Sequence, residues 1–375
     1  MKIAIIRKKY VFHGGAETFS NNLIINLAKV GHEIHIFSIK WDKPPQIKNV
    51  YLHKVPVISF NSFLRDLSFA IMATLKVKNN NFDIVQSHDL SLYQDIYRAG
   101  DGCHIEWLKQ RWNRVGIFRK LSILLNPYHW LILLLERIIF KGHKFKKIIA
   151  ISEMVKNNII EHYEVNEKDI FVIYNGVDLE KFHPKNKKLY REELRNLYGI
   201  NEDEIVLLFV GSGFERKGLK FLIKSVENIK KPLTVLVVGK GNKKKYAKMC
   251  KNQRIIFCGP QKEIYKYYAS ADIFVFPTIY EPFGNVHLEA LASGLPVITT
   301  KLSGASEIIS HGINGFVVDT PENIDKISEY ICLLMNEQVR TKISEEARKL
   351  AEKFSFEKYI KSIIDLYKSI NKEVI

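Results

Sequence analysis

Cysteine is scarce in this chain: four residues in 375, Cys103, Cys250, Cys258 and Cys332, with no pair at Cys-x-x-Cys spacing. That pattern argues against a zinc finger or a disulfide framework and points to a reduced, cytosolic setting. Long apolar runs are missing too. The N-terminal stretch Ile3-Ala4-Ile5-Ile6 stops at Arg7-Lys8-Lys9, far short of the hydrophobic region of a signal peptide, and reads as a first β-strand. The longest uncharged stretch, Leu121 to Leu135, has 15 residues and contains Pro127. As a helix it would reach about 22 Å, against a hydrocarbon core of about 30 Å, so a spanning helix is not expected.

Negative charge is the other shortage. Lys and Arg number 57 against 40 for Asp and Glu, a formal net charge of +17, which calls for an anionic partner: nucleic acid, a membrane surface or a phosphorylated substrate. No helix-turn-helix, zinc-finger or RNA-binding signature accompanies the charge, so a nucleic-acid-binding protein is not expected. A fourth explanation is compositional drift in a chain rich in Lys, Ile and Asn, which implies no partner.

What the chain does have is length and 46% apolar residues, enough for two domains. Short apolar runs alternate with stretches of helical period from end to end, the pattern of βα units and parallel sheets. Strands are expected at Lys2–Ile6, Glu33–Ile39, Val50–Val57, Asp83–Ser87 and Lys147–Ile151. A second set is expected at Ile205–Val210, Leu233–Val238, Ile255–Cys258, Asp272–Phe276, Pro296–Thr300 and Gly315–Val318. Two doubly wound sheets use them all. The Asn175-Gly176 turn signal and the charged stretch after it mark a hinge near 170–185. The tail Phe354–Ile370 reads as a terminal amphipathic helix.

Three constellations carry chemistry. Glu281-Pro-Phe-Gly-Asn-Val-His-Leu-Glu289 places two carboxylates around a Phe-Gly turn after the strand ending at Phe276, at the carboxyl end of a parallel strand, where open α/β sheets bind ligands. Gly284 and Asn285 should open a helix there, with backbone N–H groups suited to a phosphate or to sugar hydroxyls. Gly211-Ser-Gly-Phe-Glu-Arg216-Lys217-Gly218 follows another strand and offers a guanidinium fork and a point charge to a diphosphate. His13-Gly14-Gly15 lies between the first strand and its helix; paired glycines allow a phosphate to approach closely, but the Gly-x-Gly-x-x-Gly dinucleotide fingerprint is absent. A carboxylate pair could also serve a glycosidase, although Glu289 inside a helix favours binding.

Glu281 and Glu289, Arg216-Lys217, the Gly14-Gly15 loop and the run Ala269–Thr300 together resemble the retaining GT-B glycosyltransferases of family 4. The fold so implied is α/β: two Rossmann-like doubly wound domains facing a central cleft. Residues 1–172, joined by the helix 355–375, would form the acceptor domain, and 173–354 the donor domain. Within the family, Arg98-Ala-Gly-Asp101-Gly-Cys-His104 is similar to a segment of the lipopolysaccharide core glucosyltransferases, departing from it at Gly102 and His104. The resemblance implies that Glu289 binds ribose hydroxyls and that Arg216 and Lys217 hold the diphosphate. It further implies that Glu281 and the Phe283-Gly284-Asn285-Val286 segment hold the donor sugar, that Gly14 and Gly15 approach the phosphates, and that Asp101, with His104 near it, serves the acceptor. Arg216, Lys217, Glu281 and Asp101 would then carry catalysis.

The implied reaction is transfer of a hexose, glucose from UDP-glucose, with retention, to a lipopolysaccharide core or other lipid-linked glycan. GDP-mannose and a mannosyltransferase are the alternative, followed by a GT-B-like sugar-nucleotide epimerase. No cofactor and no metal are expected: no Asp-x-Asp motif stands at a strand end, and the basic pair supplies the positive charge. Between Glu106 and Lys147, ten cations face two acids, interleaved with Trp107, Trp112, Trp130 and many leucines. That describes an interfacial surface on anionic lipid, a peripheral attachment to the inner face of the plasma membrane, unless Leu121–Leu135 is a buried core helix.

Overall fold

The computed structural model describes residues 1–10, 15–41 and 47–372. They form two units, one of residues 1–174 with the tail from Tyr359, the other Asn175–Lys358.

The first unit runs β1 (Lys2–Ile6), β2 (Lys9–Tyr10), α1 (Gly15–Lys29), β3 (Glu33–Ser38), β4 (Lys40–Trp41), β5 (Val50–Lys54), α2 (Ser62–Lys78), β6 (Ile84–Ser87), β7 (Ile96–Ala99), α3 (His104–Trp112), α4 (Ile117–Leu124), α5 (Pro127–Phe140), β8 (Lys147–Ala150), α6 (Glu153–Tyr163) and β9 (Ile170–Val172). Its sheet has the order β5-β3-β1-β6-β7-β8-β9, with every pairing parallel. Two short strands, β2 and β4, pair separately. The apolar runs Ile3–Ile6 and Ile148–Ile149 are buried, as a sheet covered on both faces requires.

The second unit runs α7 (Asn186–Leu197), β10 (Ile205–Val210), α8 (Leu219–Val226), β11 (Leu233–Val238), α9 (Lys243–Ala247), β12 (Arg254–Gly259), α10 (Ile264–Ser270), β13 (Ile273–Phe276), α11 (Asn285–Ala292), β14 (Val297–Thr300), β15 (Gly315–Val318), α12 (Ile324–Leu334) and α13 (Glu337–Ala351). Its sheet order is β12-β11-β10-β13-β14-β15, again all parallel. Counted within their own sheets, the first six strands of both units follow the doubly wound order 3-2-1-4-5-6. The order therefore reverses between β1 and β6 in the first unit and between β10 and β13 in the second, and crevices for ligands open at the carboxyl ends of those strands. The fold is α/β with two Rossmann-like sheets.

The last helix, α14 (Phe356–Lys372), buries Tyr359, Ile363, Leu366, Tyr367 and Ile370, a helical stripe. Tyr359 meets the Phe19 ring edge-on at 4.8 Å, and the Tyr367 hydroxyl donates to Gln86 at 2.7 Å. The chain returns to the first unit at Tyr359 rather than at residue 355, because Phe356 N–H donates to Val177 O (3.1 Å) and Ser355 bridges Val177.

Three departures from the sequence reading have physical causes. The strand expected to reach Val57 ends at Lys54; Val55 N–H still donates to Ser38, but Pro56 has no N–H to give. β7 and β9 were not expected, β7 because it carries Arg98, whose guanidinium lies buried over the Phe19 ring at 4.7 Å. The uncharged stretch Leu121–Leu135 is not one helix: Asn126 accepts the Tyr128 N–H at 3.0 Å, Pro127 opens α5, and α4 and α5 meet at 55°. The two differ in environment. Leu131, Ile132, Leu135, Ile139 and Phe140 of α5 are core, whereas Ile117, Phe118, Leu121 and Leu124 of α4 and the adjoining Leu125 are exposed. The core reading holds for α5, while α4 leaves its apolar side chains exposed.

Candidate active site

β10 delivers its site residues because Ile205–Val210 is an uninterrupted apolar strand that the sheet buries, and the chain leaves it at Gly211 directly over the switch point. The turn that follows carries Arg216 and Lys217 to α8. β13, the neighbouring strand, ends at Phe276 and releases the chain through Thr278 to Glu281. These two exits are tied together: Thr278 Oγ donates to Arg216 O at 2.9 Å, and Ile279 N–H donates to the same oxygen at 3.0 Å.

The result is a compact charge cluster. Lys217 Nζ donates to Glu281 Oε2, and Arg216 Nη1 stands 3.9 Å from that same oxygen. Lys217 and Glu281 side chains are 12% and 10% exposed, Arg216 35%, so the guanidinium is the cation open to a ligand. Burial by itself would raise the Glu281 carboxyl, but the charges of Lys217 and Arg216 outweigh it and hold the group below the usual carboxylate range. Glu281 is anchored through its backbone as well, its N–H donating to Leu302 O and its carbonyl accepting from Gly304 N–H, both at 2.9 Å.

Beyond Glu281 the chain turns at Gly284, whose φ of +86° favours glycine; a Cβ there would lie 2.7 Å from His287 Nδ1 and 2.9 Å from Glu281 Cγ. α11 begins at Asn285, so Gly284, Asn285 and Val286 present first-turn backbone, as the sequence indicated. Phe283 is fully buried, its carbonyl accepting from Ser303 Oγ at 3.0 Å. Glu289 lies one turn inside α11 and accepts from the Tyr268 hydroxyl at 2.8 Å. Burial raises the Glu289 carboxyl, with the Tyr268 hydrogen bond and the Lys181 charge partly offsetting it.

Arg216, Lys217, Glu281, Phe283, Gly284, Asn285, Val286 and Glu289 are thus gathered in the second unit around the β10–β13 switch point. Asp101 and His104 belong to the first. Asp101 is exposed in the turn after β7, and His104 opens α3, its Nε2 2.9 Å from His129 Nδ1. Burial and then His129 push His104 down to about 4, so the ring stays neutral at neutral pH. Gly15 is the first residue of α1; Gly14 lies outside the described residues.

Several residues in contact with the site gave no local signal. Tyr268, which fixes Glu289, comes from α10, and Asn175, read only as part of a turn, donates to the Asn285 side chain at 2.6 Å. His287 is fully buried, its ring joining Gly284 O and Thr299 Oγ, both at 2.9 Å, and burial lowers it to about 4. It braces the Gly284 turn as a neutral ring. Its i, i+3 distance from Gly284 was visible in the sequence, but its burial was not.

A switch-point site with two cations, a buried carboxylate and a helix N-terminus is suited to a diphosphate carrying a polyol. The comparisons with known proteins agree in kind. The family model "Glycosyltransferase Family 4" matches residues 13–181, and "Glycosyl transferases group 1" matches residues 190–350. The uncharacterized glycosyltransferase MJ1607 of Methanocaldococcus jannaschii is 26% identical, over 98% of each chain. The lipopolysaccharide glucosyltransferase WaaG of Escherichia coli is 24% identical, over 94% of each. A crystal structure of WaaG superposes with a TM-score of 0.83 over 97% of this chain and 99% of that one, at 23% identity. Anabaena HepE, solved with UDP and glucose, gives 0.75 at 18% identity, over 98% of this chain and 100% of its own. In its two sheets, its switch-point cluster and the family models matched along both halves, the chain belongs to the GT-B glycosyltransferases, resembling the lipopolysaccharide core glucosyltransferases of family 4.

Proposed function

We propose that this glycosyltransferase moves glucose from UDP-glucose, with retention at the anomeric carbon, to a lipopolysaccharide core or another lipid-linked glycan. The observation that carries the donor part is the Lys217–Glu281–Arg216 cluster beneath the first turn of α11. Arg216 and Lys217 neutralise the diphosphate as the bond to the sugar breaks, Glu281 and the Phe283–Val286 backbone hold the sugar, and Glu289 accepts from the ribose hydroxyls. Asp101, exposed after β7, serves the acceptor. With retention, the acceptor hydroxyl attacks the face the nucleotide leaves, and its proton passes to the departing phosphate oxygen, so no protein nucleophile is needed. Charge stabilisation is then the main catalytic device. The basic pair makes a metal unnecessary.

A membrane surface is the second part of the proposal. Phe118 is 85% exposed, Leu125 79% and Trp130 58%, and Arg119 and Lys120 follow Phe118 along α4, apolar and basic groups suited to anionic lipid. The charge excess counted along the chain is smaller in space: Lys109, Lys141, Lys146 and Lys147 pair with Glu161, Glu164, Asp95 and Asp169 from outside the segment. Among the described residues no single helix is long and apolar enough to cross a membrane. We place the protein on the cytoplasmic face, held peripherally.

The test is a thermal-shift panel of UDP- and GDP-sugars, followed by transfer of labelled glucose to a truncated lipopolysaccharide core, with NMR of the product anomer. Stabilisation by GDP-mannose alone would replace the donor, a β-anomer would refute retention, and activity abolished by EDTA and restored by Mg²⁺ would refute metal independence. Free sugar products formed without acceptor would favour an epimerase.

A further inference from the structure

The turn that carries Asp101 is held by a carboxylate the proposed reaction does not use. Gly102, at φ +72°, closes the turn after β7, Cys103 occupies the N-cap position and α3 starts at His104. The first-turn N–H groups of α3 point at Glu136 of α5: His104 N–H donates to Oε1 at 2.8 Å, and Ile105 N–H also bonds this carboxyl. The other oxygen accepts from the hydroxyl of Tyr163, the last residue of α6, at 2.6 Å. Glu136 is 3% exposed, Tyr163 6% and Cys103 fully buried. A second bond between the same helices, His104 to His129, lies close by.

A buried carboxylate is costly unless its lone pairs are met, and this one is met by a helix N-terminus and a phenol. Asp101 is near enough for its charge to act on Glu136: burial raises the Glu136 carboxyl to about 7, the bonds from Tyr163, His104 and Ile105 oppose the rise, and the Asp101 charge adds to it. If the role were packing alone, an apolar side chain would serve without that cost.

We propose that Glu136 is a positioning residue for glycosyl transfer: acting as the N-terminal cap of α3 from another helix, it fixes the Gly100–Cys103 turn and thereby the place of Asp101. The proposal rests on the reading of Asp101 as an acceptor-side residue, and the experiment separates the two. Glu136→Ala removes the cap. Glu136→Gln keeps an oxygen for the His104 and Ile105 N–H groups, and its amide N–H₂ donates to the Tyr163 hydroxyl, which turns from donor to acceptor.

Hydrogen exchange of the segment 100–106 is read first, since it needs no substrate. Glu136→Ala should exchange there about tenfold faster, and Glu136→Gln should return to within about twofold of wild type. In transfer from UDP-glucose to truncated lipopolysaccharide core, Glu136→Ala should lose about tenfold or more in turnover, with the KM for UDP-glucose within about twofold and activity rescued in Glu136→Gln. Exchange unchanged in Glu136→Ala overturns the proposal, whatever the substrate. So does faster exchange with full turnover in Glu136→Ala while Asp101→Ala is inactive. Full turnover in Asp101→Ala refutes instead the reading of Asp101, and with it the catalytic consequence drawn for Glu136. If Glu136→Ala does not fold, Glu136→Gln decides: wild-type exchange and turnover support the cap, and loss of both overturns it.

Discussion

Lys217→Met separates the electrostatic account of the site from a merely geometric one. The ammonium is 12% exposed and bonded to Glu281, itself 10% exposed, so its removal leaves a buried carboxylate with its nearest counter-charge gone. Breaking a buried pair costs about 3–5 kcal/mol, but Arg216 remains 3.9 Å from the same oxygen, partly in solvent, and the expected loss is about 2 kcal/mol. For a unit the size of Asn175–Lys358 that corresponds to about 4–8 °C in melting temperature. The sign with pH follows from the linkage. In the wild type the Glu281 carboxyl lies below its usual range, so its contribution is present above the unfolded pKa and is lost as pH falls through the folded one. In the variant, burial without the opposing Lys217 charge and hydrogen bond raises that carboxyl. The gap between the two proteins should therefore be widest near neutral pH and narrow in acid. Calorimetric melts across pH, with UDP titration and transfer rates, are the assay; UDP affinity should fall about tenfold and turnover about 100-fold. Equal melting temperatures at neutral pH together with UDP affinity within twofold would refute the reasoning.

Glu289→Gln should weaken UDP about 10- to 100-fold in calorimetric titration while leaving inorganic pyrophosphate binding unchanged, because in the proposed donor pose Glu289 accepts from the ribose alone. Glu136, raised to about 7 from 4.5, holds a proton in the folded chain that the unfolded chain has released; its contribution falls as pH rises between those values, by about 3 kcal/mol. Urea midpoints should show that slope in wild type and lack it in Glu136→Gln. Phe118→Glu with Leu125→Glu should reduce binding to anionic vesicles about tenfold per residue, with UDP affinity intact; unchanged sedimentation with vesicles would remove α4 from the lipid face.

Much of the second unit was legible because its signals are local. Ile205–Val210 is apolar throughout and could only be a covered strand, and Gly284-Asn285 ahead of Glu289-Ala-Leu-Ala had to open a helix. Glu281 and Glu289 stood out by their spacing around that turn. Less could be read where a residue's neighbours come from far along the chain. Arg98 disguised β7, since nothing nearby announces the Phe19 ring and the Tyr359 hydroxyl that accommodate a buried guanidinium. Leu121–Leu135 reads as one apolar stretch, and its division into an exposed α4 and a core-facing α5 depends on α2, whose Ala70 packs with Leu131 and Leu135.

The sequence by itself determined the alternation of strands and helices, the two Rossmann-like sheets, and which side chains stand at the strand exits, because backbone propensity and apolar period act over a few residues. Tertiary structure alone decided what those side chains meet. It set Lys217 against Glu281, Tyr268 against Glu289 and Glu136 under the N–H groups of α3, and it drew four lysines of the basic segment into ion pairs with acids from elsewhere. Charge acts through space, and the distances that decide its effect exist only once the chain has folded.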